Sequence, residues 1–200
     1  MHSPASATAA DRFTWADYRT WPDDQRWELV NGVAHCMAPA PSIRHQEVAG
    51  ALFSRIEQQL RGRTCRPFIA PTDVKLSDSD VVQPDILVVC DPRKLADTHI
   101  DGAPDLVAEV LSPGTSARDL RQKKSLYERY AVREYLIVDP LEHYAIRFLL
   151  GEDGYDKGTV FAPDEVLTLA TLDTVQVPLW EVFGIAEPID SAAVDPASGR

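Results

Sequence analysis

Gln83-Pro84-Asp85-Ile86-Leu87-Val88-Val89 and, one connector later, Pro104-Asp105-Leu106-Val107-Ala108-Glu109-Val110-Leu111 decide how this chain folds. Each reads as an apolar strand carrying one acid, and the polar helix that follows contains Lys123. A carboxylate inside a Val/Ile/Leu run is costly unless something pairs with it. A divalent cation between Asp85 and Glu109 is one such partner, because hard cations prefer carboxylate oxygen. Alternation puts Val107, Glu109 and Leu111 on one face, and Leu106, Ala108 and Val110 on the other. Taken alone, Glu109 is also explained by a half-solvated strand end or an arginine partner. Asp85 follows Pro84, and proline favours strand starts, edges and bulges. A Pro-Asp pair is often only a turn, as expected at Pro104-Asp105, so Asp85 draws its weight from Glu109.

Lys123 is the sharper clue. At about 100° per residue, Leu120, Leu126, Tyr127 and Tyr130 define an apolar stripe with Lys123 near its middle, while Lys124 lies roughly 95° from the stripe centre. An amine inside a core-facing stripe needs an anionic partner; otherwise it runs along the core to reach water. Tyr127 reads as core packing and Lys124 as solvated surface. If Asp85, Glu109 and Lys123 meet, they neutralise one another and leave a metal-and-water site.

The rest of the chain supplies a mixed α/β frame. Thr14 can cap a short helix from Trp15 to Trp21, ended by Pro22. Trp27-Glu28-Leu29-Val30, Asn31-Gly32 and Val33 to Met37 form a strong hairpin signal, since Asn-Gly supplies the positive φ angles of a type I′ turn. A helix from about Ser42 to Leu60 repeats Val48, Leu52, Ile56 and Leu60 at helical spacing, and Gly62 closes it. Cys65 to Ala70 and Asp73 to Leu76 read as strands, and Arg93 to Gly102 as a loop or short helix. Ser112 to Ser116 is a turn and helix start, with the helix running to about Tyr130. Glu134 to Val138, His143 to Leu150, Val160-Phe161, Val166 to Leu169 and Thr174 to Val177 are further strands, and Leu179 to Phe183 a last helical turn. No repeat and no internal linker appears. The expected organisation is one domain over residues 13–186, with disordered tails at 1–12 and 187–200.

Two hundred residues fit one domain with a sizeable core. The apolar runs are too short to span a bilayer, and Met1 to Arg12 lacks the order of a secretory signal. Cys36, Cys65 and Cys90 are odd in number and show no Cys-x-x-Cys pattern, so reduced thiols in a cytoplasmic protein are expected. The formal net charge of −11 argues against non-specific coating of nucleic acid, but not against a local basic groove. His2, His35, His45, His99 and His143 show no zinc-ligand spacing.

Several motifs together carry a resemblance. Pro84-Asp85, Glu109-x-Leu111 and Asp119-x-x-x-Lys123-x-x-x-Tyr127, then Val132-x-Glu134-Tyr135-x-x-Val138-Asp139-Pro140, look like the Uma family, described as putative restriction endonucleases, within the PD-(D/E)XK nuclease superfamily. Trp27 to Gly32, and His45 at the start of the long helix, match as well. The similarity covers roughly Phe13 to Val182 and implies an α+β fold with a mixed central sheet and flanking helices. The wider superfamily carries Glu/Asp-x-Lys on its acidic strand. This chain has Leu111 at the third position, and the resemblance implies that the lysine has moved to Lys123.

The resemblance implies metal-dependent hydrolysis of phosphodiester bonds in DNA. Asp85, Glu109 and the Val110 carbonyl would hold Mg²⁺, with Mn²⁺ as a substitute, polarising the phosphate and acidifying bound water. Lys123 would orient that water or stabilise charge on phosphorus. Glu28 would bind a second metal or water, or hold the hairpin; His45 would contact phosphate, or only cap its helix. Arg118, Arg121 and Lys124, with Arg129 and Arg133, offer a basic face along the catalytic helix, and Arg61, Arg63 and Arg66 form a second cluster. A homodimer suits a two-fold substrate. Two other readings stand beside this one: a catalytically inactive nuclease fold that binds nucleic acid or serves assembly, and a hydrolase of small phosphoesters.

Overall fold

The fold was obtained as a computed structural model covering residues 11–22, 25–37, 41–112, 119–172 and 174–189. Local chemistry sets the short elements. Helix α1 (Trp15–Tyr18) is a single turn closed by a capping box, Thr14 accepting from the Asp17 N–H and Asp17 accepting from Thr14. Strands β1 (Trp27–Val30) and β2 (Val33–Cys36) form the expected hairpin, with φ of +52° at Asn31 and +74° at Gly32, the left-handed values a type I′ turn requires. Helix α2 (Ile43–Leu60) starts at Ser42, whose Oγ accepts from the His45 N–H at 3.1 Å, and it buries Val48, Leu52, Ile56 and Leu60.

The middle of the chain builds strands β3 (Arg66–Ile69), β4 (Val74–Lys75), β5 (Val81–Val82), β6 (Ile86–Val89), β7 (Ile100–Asp101) and β8 (Leu106–Val110). A π-helical turn, Asp119–Lys123, runs directly into α3 (Lys124–Arg129). Then come β9 (Glu134–Asp139), β10 (Tyr144–Gly151), β11 (Gly154–Tyr155), β12 (Thr159–Phe161), β13 (Val166–Thr168), β14 (Gln176–Pro178) and α4 (Leu179–Phe183). The helix start expected at Ser112 to Ser116 falls largely outside the described residues, as do most of both expected tails.

The larger sheet runs β11-β10-β9-β8-β6-β3 with β12 also on β10; β8 and β9 are parallel and their other neighbours antiparallel. A second sheet runs β2-β1-β5-β4-β7, and β13 pairs with β14. This is the mixed α+β architecture expected, with helices flanking a central sheet. Ile86, Val88, Leu106, Ala108 and Val110 pack with Leu52, Ile56, Val177 and Phe183 on one side. Leu87, Val89, Val107 and Leu111 face the other way, against Val74, Val82, Leu126 and Tyr127. Cover on both faces is why these strands are apolar almost throughout. Each fully buried aliphatic side chain contributes about 1.5–3 kcal/mol over leaving it exposed. The two acids therefore sit on or next to strands buried on both faces, Glu109 within β8 and Asp85 immediately before β6.

The thiol expectation is corrected. Cys65 and Cys90 form a disulfide, and Cys36 is the free cysteine among the described residues. The reason is register. Arg66 stands opposite Val89 across β3 and β6, so one step further Cys65 meets Cys90. Sheet pairing brings together two cysteines 25 residues apart, which spacing along the chain cannot reveal. The cysteines therefore carry no argument for a reducing compartment. No helix among the described residues is long and apolar enough to cross a membrane.

Candidate active site

Pairing of Ile86 with Ala108 across β6 and β8 sets Asp85 opposite Glu109 one step further on, at the strand ends. Both acids continue the face that carries Leu87 and Val107. The Val110 N–H donates to Asp85 Oδ2 at 2.8 Å, and His45 Nε2 lies 3.2 Å from the same oxygen. The first turn of α2 thus reaches over the sheet end to fix the Asp85 carboxylate. That carboxylate is 22% exposed and forms the open side of the cluster.

Behind it the cluster is closed. Lys123 Nζ donates to Glu109 Oε1 at 2.7 Å and lies 3.2 Å from Glu28 Oε1. The Lys123 side chain is 6% exposed, so it ends on carboxylates inside the protein and does not reach water. Tyr127, one turn further along the helix, donates its hydroxyl to Glu109 Oε1 at 2.7 Å. The Gln83 N–H donates to Glu28 Oε1 at 3.2 Å. Gln83 is itself clamped, its Oε1 accepting from Arg26 Nε and its Nε2 donating to Asp73 Oδ1, each at 2.7 Å. The segment leading into Asp85 is held on both sides.

Two buried carboxylates, Glu28 and Glu109, meet one ammonium in this corner, with the Asp85 carboxylate beside them on His45 and the Val110 N–H. Burying such a set costs more desolvation than its mutual attraction reliably returns, and hydrophobic replacements of buried ion pairs are often as stable. Stability alone does not explain the arrangement; excess negative charge at an opening does suit a cation. The donors fit a hydrated hard ion, since Mg²⁺ keeps several waters and is held through one or two carboxylates plus substrate phosphate. Among the described residues no group of three or more His, Cys, Asp or Glu side chains is placed to hold a metal ion by itself. The Tyr127 phenol is pushed well above its ordinary pKa, first by burial and then by the charges of Glu109 and Glu28. It remains a protonated donor.

The structure therefore brings Asp85, Glu109, Lys123, Glu28, His45 and the Val110 backbone to one place. Other candidates lie elsewhere. Lys124 sits over the Phe148 ring, 3.9 Å from its centroid. Arg121 lines a groove beside the cluster, and Arg118 lies outside the described residues. Arg61 pairs with Glu57 near the far end of α2, roughly 24 Å along the helix from His45 at 1.5 Å per residue. Arg63 contacts Thr174, and Arg66 stacks over Phe68. Arg133 pairs with Asp105 at 2.6 Å, and Arg129 bonds Asn31 and Asp80. Sequence reasoning missed Tyr127 as a donor to the site and Gln83 as a brace. Tyr127 follows Lys123 by four residues, a spacing that puts both on one helix flank and could have found it.

An Asp and a Glu at the ends of neighbouring strands of a mixed sheet, with a lysine delivered from the adjoining helix, stand together on an α+β fold. A crystal structure of a "putative nuclease belonging to DUF820" from Anabaena variabilis shares that fold, with a TM-score of 0.71 over 86% of this chain and 98% of that one, at 19% identity. The family described as "Putative restriction endonuclease" (Uma2) matches residues 15–179, and the chain belongs to it. The uncharacterized protein slr1290 of Synechocystis is 31% identical over 143 residues, covering 68% of this chain and 73% of that protein.

Proposed function

We propose that this protein is a metal-dependent endonuclease that hydrolyses phosphodiester bonds in DNA with Mg²⁺ or Mn²⁺. The observation that carries the reading is the Lys123 ammonium, 2.7 Å from Glu109 and delivered from a helix where the strand itself offers only Leu111. Glu28 and Glu109 hold this ammonium in place, and Tyr127 and Gln83 hold those carboxylates in turn. An amine so fixed can meet charge building on a phosphate oxygen without reorganising, the kind of contribution worth roughly 10²–10³-fold in rate. Asp85, oriented by Val110 and His45, presents its carboxylate at the opening. Asp85, Glu109 and the Val110 carbonyl are the groups to hold the cation, which when bound supplies a Lewis acid for the phosphate and lowers the pKa of its water.

Incubation of the full chain with supercoiled plasmid tests this. Nicking or linearisation should require Mg²⁺ or Mn²⁺, stop with EDTA, and be lost in Asp85→Asn and Lys123→Ala. Cleavage unchanged by EDTA, or absent with every metal, favours the non-catalytic module. Hydrolysis confined to small phosphoesters favours a phosphoesterase.

A further inference from the structure

Beside the carboxylate–lysine cluster, a groove of about 670 Å³ runs between the β1–β2 hairpin and the helical segment 121–129. Arg12, Arg121, Arg129 and His35 line it, with Val30 and Val33 among its apolar lining, and no Asp or Glu is among its lining residues. In a chain of formal net charge −11, with 31 acids to 20 bases, such a lining gathers positive charge locally, offset in part by Asp80 behind Arg129. Arg129 is held in place by Asn31 Oδ1 at 2.8 Å and by Asp80 Oδ1 at 3.4 Å. The arginine is thus positioned by the hairpin turn before any ligand arrives.

The groove adjoins the reactive corner through both walls. Across the hairpin His35 stands directly opposite Glu28, and Val33 opposite Val30, so the face that lines the groove also carries Glu28 into the cluster. On the helical wall Arg121, Gln122, Ser125 and Arg129 line the groove, while Lys123 and Tyr127 reach Glu109. One helical segment therefore presents arginines to the groove on one flank and reaches the carboxylates on another.

We infer that this groove is the track for the sugar-phosphate backbone of the nucleic acid flanking the phosphate that the cluster attacks. The inference rests on the nuclease reading for the identity of its ligand. Arginines supply the charge, the apolar floor and Gln122 and Ser125 leave room for a strand of any sequence, and recognition is electrostatic. Binding that neutralises phosphates releases counterions, so affinity falls with salt by about 0.9 in log–log slope per phosphate neutralised.

The test is fluorescence anisotropy of the full chain with short labelled duplexes and single strands of unrelated sequence, titrated with salt in EDTA so that nothing is cut. Arg12→Gln/Arg121→Gln should weaken binding equally on all sequences and lower the salt slope by about 2, one for each phosphate left without its arginine. Arg12→Lys/Arg121→Lys should restore the slope, because a lysine keeps the point charge. Arg93→Gln, on an exposed turn where Arg93 pairs with Asp91, should change nothing. Circular dichroism must show all variants folded. A glutamine variant that keeps wild-type affinity and slope overturns the groove, and if plasmid cleavage persists the nuclease reading stands without it. Loss of binding on the same substitution in a protein that cuts no plasmid supports the groove and removes the enzyme. Wild-type protein that binds neither duplex nor single strand at low salt overturns the groove as well.

Discussion

Two buried glutamates on neighbouring parallel strands have opposite surroundings. Glu134, at the start of β9, is fully buried and accepts from the Ala170 N–H at 3.0 Å, the Thr171 N–H at 2.9 Å and the Thr171 hydroxyl at 2.7 Å. Glu109, near the end of β8, is 3% exposed and accepts from an ammonium and a phenol of one helix. Backbone donors are fixed in place, so Glu134 is a staple that ties the 170–171 turn to the sheet. The donors to Glu109 are side chains, one of them charged, and the neighbouring carboxylate of Asp85 opens to solvent. A buried acid met by backbone amides holds structure; one met by a charged side chain beside an opening is the one to which the proposed nuclease reading gives a chemical role.

The sharpest break of this contrast is catalytic. Glu109→Gln removes a carboxylate proposed to hold the cation and the anchor of the Lys123 ammonium, and should lower metal-dependent plasmid cleavage by roughly 10²–10³-fold or more, the scale of losing preorganised charge stabilisation. Glu134→Gln should leave the rate within a few-fold; equal losses at the two sites would erase the distinction. Next in size is stability at the lysine. Lys123→Ala leaves Glu28 and Glu109 buried without their counter-charge and should cost about 3–5 kcal/mol in urea denaturation. A second substitution, Glu109→Gln, should recover part of that loss, whereas Glu134→Gln in the Lys123→Ala background should add to it.

At the staple itself, Glu134→Gln turns amide hydrogens toward the donors of residues 170 and 171. It should lower stability by about 1–3 kcal/mol, the penalty of leaving buried donors unmatched, with thermal melting as the readout. The smallest effect is alkaline. The folded-state pKa of Tyr127 is raised, so its contribution is fully present below the ordinary value of 10.0 and is lost as pH climbs above it. Urea midpoints should fall from about that pH upward, and Tyr127→Phe should flatten the fall. An unaltered alkaline limb in that variant would remove the assigned cause.

Much of this was legible from local chemistry. Asn31-Gly32 demands a hairpin, and the structure turns there with both φ values positive. The runs Ile86–Val89 and Leu106–Val110 are strands buried on both faces, as their unbroken aliphatic character requires. The helical period singled out Lys123 as an amine in need of an acid, and Glu109 and Glu28 are what it reaches. Local rules did not reveal the π-helical turn at Asp119–Lys123, because one wide turn spans too few residues for its shift in the apolar period to be told from an ordinary helix start. Nor did they place Lys124 over Phe148, a residue of a strand that arrives later in the chain.

The residues alone determined which segments become strands and helices, where the first hairpin turns, which faces are apolar, and that two acids and a lysine sit where solvation is costly, because dihedral preference and burial act over a few neighbours. Only the tertiary structure decided that Asp85 is held by a helix from forty residues upstream, that Glu28 shares the ammonium, that Cys65 meets Cys90, and that Arg12 and Arg121 line one groove. Those juxtapositions depend on sheet register and on how one layer lies over another, quantities set by the packing of the whole domain.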